Sequence, residues 1–201
     1  MRRLSIVFVT VVGAALFAAL GVSHDRLRAP VAVFAELDGT WSGTFVGYDE
    51  TGNELYRLAV TQRYQTINDT TQSVIIQDTM PDGTVITGRG ENTAHRRADG
   101  SLDLRCMVTK SNGDRVAHQG RVVAGPNGEK QIVWYSRGPD RVETFREVVR
   151  HEGSQLVYEI NGMGRYGKTL ILMHGRYTKQ GGEDSASKKE PLSDGNKDET
   201  S

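Results

Sequence analysis

One cysteine in 201 residues leaves this chain without an internal disulfide. Cys106 has no partner, which excludes both a disulfide-stapled scaffold and a Cys-rich metal site. Charge of one sign is also missing: 25 Lys and Arg stand against 25 Asp and Glu, a formal net charge of zero. Without a basic excess there is no electrostatic footprint for nucleic acid. Proline, at five, is too sparse for a polyproline or collagen-like chain. Helical periodicity is absent between Thr40 and Lys179. There is no H-E-x-x-H and no G-x-S-x-G, and His24, His95, His118, His151 and His174 fall at no zinc-ligand spacing. The reading is therefore a non-catalytic protein with no metal and no cofactor required by a motif.

Long hydrophobic runs are scarce, with one exception. Arg2 and Arg3 precede residues 4–22, LSIVFVTVVGAALFAALGV, which carry no charge. A basic start followed by an apolar run predicts an export signal. The run is also long enough to span a bilayer as an uncleaved anchor. Small residues suit cleavage after Gly21 or after Ala35. The expectation is an exported protein, periplasmic or secreted, or held by a single membrane pass; membrane contact is through this segment alone. Residues 180–201, QGGEDSASKKEPLSDGNKDETS, hold one large apolar side chain, Leu192. Such a stretch buries too little to offset its ordering entropy and predicts a solvated tail. The domain division is thus signal or anchor over 1–22, linker over 23–35, folded domain over 36–179 and tail over 180–201.

Within the domain, period-two alternation rich in Val, Ile, Thr, Tyr and Phe recurs between turn clusters. The clusters are DETGNE (49–54), IND (67–69), PDG (81–83), ADGS (98–101), SNGD (111–114), GPNGE (125–129), RGPD (137–140), EGS (152–154) and GMGRYGK (162–168). They delimit ten candidate strands with no room for crossover helices, so pairing is antiparallel. A flat meander of that length exposes two edges, and closure removes them. The fold class expected is all-β, an antiparallel up-and-down barrel of about eight to ten strands.

The first strand opens with LDGTWSGTFVGYD (37–49). Gly39-Thr40-Trp41 resembles the G-x-W start of the lipocalins and the wider calycin group. The resemblance implies a barrel whose Trp41 sits at the closed end, with Arg176 from the last strand packed across the indole as a barrel-closing pair. Gly39-Thr40-Trp41-Ser42-Gly43 also resembles the opening of nitrobindin-type barrels, which implies haem as a cofactor with His174 as its ligand.

The stretch GMGRYGKT, Gly162 to Thr169, matches the G-x-x-x-x-G-K-T phosphate loop. Such a loop works by joining a strand to a helix whose N-terminal amides face the phosphates. Here Gly175 interrupts the following apolar run, and no later strand-ending Asp is present to hold magnesium. The reading is a hairpin turn and no nucleotide.

Alternation assigns inward faces to Trp41, Gly43 and Phe45, to Tyr56, Leu58, Val60, Gln62 and Tyr64, and to Leu170, Leu172, His174 and Arg176. The ligand-binding candidates are Tyr56, Tyr64, His118, Trp134, Arg146, Tyr158 and His174. Arg146 is the anchor for a ligand carboxylate, assisted by Tyr64 and Tyr158, and internal hydrogen bonding is the competing reading. The function expected is a barrel holding a small apolar or amphipathic molecule or lipid. The alternatives are an envelope-tethered interaction module with a packed interior and, third, a haem-binding barrel. A cavity distinguishes the first from the second.

Overall fold

The computed structural model describes residues 33–139 and 141–181. The signal or anchor (1–22), the linker up to residue 32 and the tail from residue 182 lie outside the described residues. Ten strands follow one another: β1 (Gly39–Tyr48), β2 (Glu54–Asn68), β3 (Thr71–Thr79), β4 (Val85–Arg96) and β5 (Leu102–Lys110). Then come β6 (Arg115–Ala124), β7 (Lys130–Arg137), β8 (Arg141–Glu152), β9 (Gln155–Tyr166) and β10 (Thr169–Lys179). Each pairs antiparallel with its sequence neighbours, and β1 pairs with β10 to close the barrel. The all-β, up-and-down architecture is the one the turn spacing predicts, at ten strands.

The phosphate-loop match dissolves in this geometry. Thr169 opens β10, so the residue that should start a helix starts a strand. The turn itself is only Gly167-Lys168, with Gly167 at φ 61°, a conformation L side chains rarely adopt. Gly162 and Gly164, which the sequence reading puts in the turn, are mid-strand residues of β9. A Cβ on Gly162 would lie 2.2 Å from Phe145 Cδ1, so this glycine makes room for a ring on the inner wall. Gly120 does the same under Trp134, 2.4 Å from its ring to the position of a Cβ. Rings laid over glycines let a sheet bend tightly enough to close.

The base of the barrel is sealed by a single 3-10 turn, Ala35–Leu37, and the two residues before it. Phe34 is fully buried and stacks on Trp134 at 6.3 Å, in a cluster with Val33, Ala94, Leu104 and Ile132. Lys130 donates to the Val33 carbonyl and Gln72 to that of Phe34. Val33 and Phe34, assigned to a linker from sequence, are therefore part of the barrel, and cleavage after Ala35 would remove its plug. Polar groups tie the turn to the wall: Gln72 also donates to Asp38, and Asn92 donates to Gln72.

Trp41 is fully buried, donates from its indole to the Leu37 carbonyl at 2.7 Å and meets Tyr158 edge-on at 5.6 Å. Arg176 does not cover it. Trp41 lies directly opposite Lys179 in the β1–β10 register, so the odd residues of β10 share its inward face. Met173 and Tyr177 are accordingly buried. The even set Leu170, Leu172, His174 and Arg176 faces outward, one residue out of phase with the sequence reading. Arg176 pairs instead with Glu152 and Glu159 on the outer surface. The cation over the indole is Lys179, with Nζ 5.4 Å from the ring centroid. Replacing Lys179 by Met, which keeps most of the stem, is expected to cost about 0.5–1 kcal/mol in denaturant unfolding. Arg176→Met is expected to shift the unfolding midpoint little despite removing two ion pairs, because Arg176 is exposed and Arg150 still pairs with both Glu152 and Glu159.

Candidate functional site

The interior is not filled. A cavity of about 440 Å³ runs up from the middle of the barrel towards the end opposite the plug. Its wall is mainly apolar, with Phe45, Leu58, Val74, Ile76, Val108 and Val116 among the contributors. The alternation that makes each strand also makes the wall: β2 sends Tyr56, Leu58, Val60, Gln62 and Tyr64 inward in succession.

Near the open end the wall becomes polar. Glu143 of β8, 3 % exposed, is the hub. Its Oε2 is 3.0 Å from His118 Nε2 and 3.2 Å from the Ser136 hydroxyl, which donates to it. Its Oε1 accepts a short hydrogen bond from the Tyr166 hydroxyl. Arg141 Nε lies 2.9 Å from Oε2, at ion-pair distance but with the N–H poorly aimed for a hydrogen bond. The same guanidinium pairs with Asp114 at 3.0 Å and packs 5.6 Å from the centre of the Tyr166 ring. Burial alone pushes the Glu143 carboxyl up. The contacts from His118, Tyr166 and Arg141 outweigh it and bring the carboxyl down to about 2. Tyr166 is raised by burial and by the Glu143 charge. A second pair stands beside this cluster, Lys110 with Asp78 at 2.7 Å, both on the cavity wall.

Deeper lies Glu147, also from β8. Its carboxyl is pushed up to about 7, chiefly by burial, against the opposing influence of the Trp134 indole, the Tyr158 hydroxyl and His118. Cys106, on the same wall, is pushed up to about 12 by burial and by the Glu147 charge, which leaves it an unreactive thiol. No group of three or more potential metal ligands occurs among the described residues.

The structure places Tyr56, Tyr64, His118 and Trp134 on the cavity wall. Tyr158 is fully buried beneath it, in the packed base among Trp41, Tyr64 and Tyr177. Arg146 and His174 are not inside. Arg146 is exposed, one position out of phase with Phe145 and Glu147, which take the inward face of β8. It therefore cannot anchor a carboxylate in the cavity. His174, on which haem ligation rests, lies on the outer face and is bonded through Nδ1 to Asn161 at 2.8 Å. Arg141, Glu143, Glu147, Tyr166, Asp78 and Lys110 escape the sequence reading.

No family model and no curated protein matches the chain. Among solved structures it is similar to a de novo designed fluorescence-activating β-barrel, at 13 % identity, covering 76 % of this chain and 99 % of that one, TM-score 0.38. It is also similar to the redesigned barrel mFAP0 bound to DFHBI, at 17 % identity, 72 % and 99 % coverage and TM-score 0.37. A third likeness is to a protein of unknown function of the DUF3598 family from Nostoc punctiforme, at 8 % identity, 76 % and 99 % coverage and TM-score 0.24.

Proposed function

We propose that this is an exported, non-catalytic binding protein that holds one small apolar or amphipathic molecule inside its barrel. The observation that carries the reading is the cavity: about 440 Å³, walled by apolar side chains, with its polar groups gathered towards the open end. That volume exceeds the roughly 300 Å³ at which ligand sites begin. A barrel serving only as a packed scaffold would have side chains there. The mouth also suits delivery from solution. The plug at Val33–Leu37 and the last strand pairs at Lys179 lie at the base, so the chain enters and leaves the barrel at the end away from the mouth.

The test is binding of N-phenylnaphthylamine, an uncharged fluorophore of suitable size, followed by its emission. Wild type is expected to saturate with micromolar affinity. Leu58→Trp, which projects an indole into the cavity, is expected to weaken binding by about tenfold or more while the far-ultraviolet spectrum stays that of a β-protein. Unsaturable emission, equal in both proteins, would show that the dye meets only the outer surface.

A further inference from the structure

The polar groups of the cavity are not equally occupied. Arg141 is held by Glu143 and Asp114, and Lys110 by Asp78, so both cations on the wall already have carboxylate partners. Glu143 in turn is surrounded by donors. Glu147 differs. Among the described residues no Lys or Arg comes within ion-pair distance of it, yet it lines the main cavity. A second acceptor on the same wall is short of a donor: Asn92 donates from its amide to Gln72, but its buried Oδ1 has no partner among the described residues. Two donors are unpartnered as well, the Tyr158 hydroxyl in the packed base and Arg141 Nε, whose guanidinium two carboxylates already hold. Among the described residues the cavity wall thus offers a carboxyl and an amide oxygen as acceptors, and no cation without a carboxylate partner. An acidic ligand would find both cations taken and a carboxyl facing it. A ligand carrying a nitrogen base would supply what is missing.

From this geometry we infer that the ligand is a small aromatic or aliphatic amine, whose ammonium group sits in the cavity against the Glu147 carboxylate. The inference rests on the proposed ligand-binding reading and narrows it to a chemical class. An amine entering as its ammonium ion needs Glu147 ionised, so the carboxyl gives up its proton to solvent as the pair forms. Desolvated on one side by the apolar wall, the charged contact is stronger there than in water.

Several titratable groups face Glu147. They are Tyr64 from β2, Cys106 from β5, His118 from β6, Tyr158 from β9 and Tyr177 from β10. Lys130 and Glu36 lie on its basal side, where they pair with each other at 3.1 Å. His118 among them is already engaged by Glu143.

Three probes of one skeleton test the inference: naphthylmethylamine, naphthylmethanol and naphthoic acid, titrated calorimetrically into wild type and Glu147→Gln at pH 6 and pH 8. In wild type at pH 8 the amine is expected to bind about tenfold or more tightly than the alcohol, and the acid weakest. The amine is expected to weaken about tenfold from pH 8 to pH 6, as the carboxyl takes up its proton, while the alcohol changes little. In Glu147→Gln the advantage of the amine over the alcohol is expected to vanish and its pH dependence with it; persistence of either would assign the effect to another group, His118 first. Infrared difference spectra of wild type at pH 6 supply a check that needs no variant: amine binding should remove the band of one protonated carboxyl. Alcohol bound as tightly as amine, or acid bound tightest, overturns the inference and leaves the binding reading standing. Failure of all three probes overturns the inference, and failure of N-phenylnaphthylamine as well overturns the reading beneath it.

Discussion

Glu143→Ala is expected to destabilise the folded protein by about 3–5 kcal/mol in urea or guanidinium unfolding. The side chain is almost wholly buried and collects His118, Ser136, Tyr166 and Arg141 around two oxygens. Removing it leaves the His118 imidazole and the Tyr166 phenol without their buried acceptor and the Arg141 guanidinium with Asp114 alone, and breaking a buried ionic cluster by removing one partner costs more than the cluster contributed. The same hub sets an acid limit. The Glu143 carboxyl stands at about 2 in the fold against an ordinary 4.5. A depressed carboxyl contributes stability that is complete above its unfolded value and lost as pH falls through its folded one. Wild type should therefore lose stability between about pH 4.5 and pH 2, and Glu143→Ala should lose less over that window. If the variant matched wild type in stability at neutral pH, the four contacts would be surface pairs of little worth. The hub would then be no more than a crowded rim.

Glu147→Gln is expected to act in the opposite direction. With the carboxyl at about 7 in the fold and 4.5 ordinarily, its pKa is raised. The associated stability is full below about pH 4.5 and lost as pH rises through about 7. Glutamine does not titrate and cannot incur this loss. The stability of the variant relative to wild type should thus grow by about 2–3 kcal/mol between pH 5 and pH 8, which removes any constant offset between Gln and protonated Glu. Thermal melts at matched ionic strength would read it. A difference that stays constant with pH would mean that Glu147 ionises in the barrel as freely as in the open chain. Retaining an acid that weakens the apo protein at neutral pH is what a binding site does when the ligand completes it.

The strands and their turns were legible because each carries its own signal. Period-two alternation and glycines or Asn and Asp at tight turns are local, and nine turns without crossover segments leave antiparallel neighbours as the one arrangement. The site was legible where one face of a strand is clearly apolar. The β2 row from Tyr56 to Tyr64 is such a case, as is Trp134 on β7. It was not legible on β8 and β10. In RVETFREVVRH both faces mix charged and apolar residues, so alternation alone cannot choose between Arg146 and its neighbours. The missing information was register. Trp134 lies directly opposite Phe145, so an inward Trp134 forces Phe145 inward, and with it Arg141, Glu143 and Glu147. On β10 the run LILM is apolar on both faces, and taking the whole of GMGRYGK as the turn hid the two-residue loop. With that loop, an inward Tyr158 sets Tyr177 inward, and His174 and Arg176 fall outside. A slip of one residue exchanges every side chain between faces.

Strand content, strand order and closure follow from the sequence alone, because hydrogen-bond satisfaction between neighbours and removal of open edges are requirements any such chain must meet. Which cation covers Trp41, which acids enter the cavity and how much space remains there were decided only when all ten strands met. Those properties depend on the phase of one strand against another and on rings lying over glycines across the sheet, and no local stretch of residues carries either.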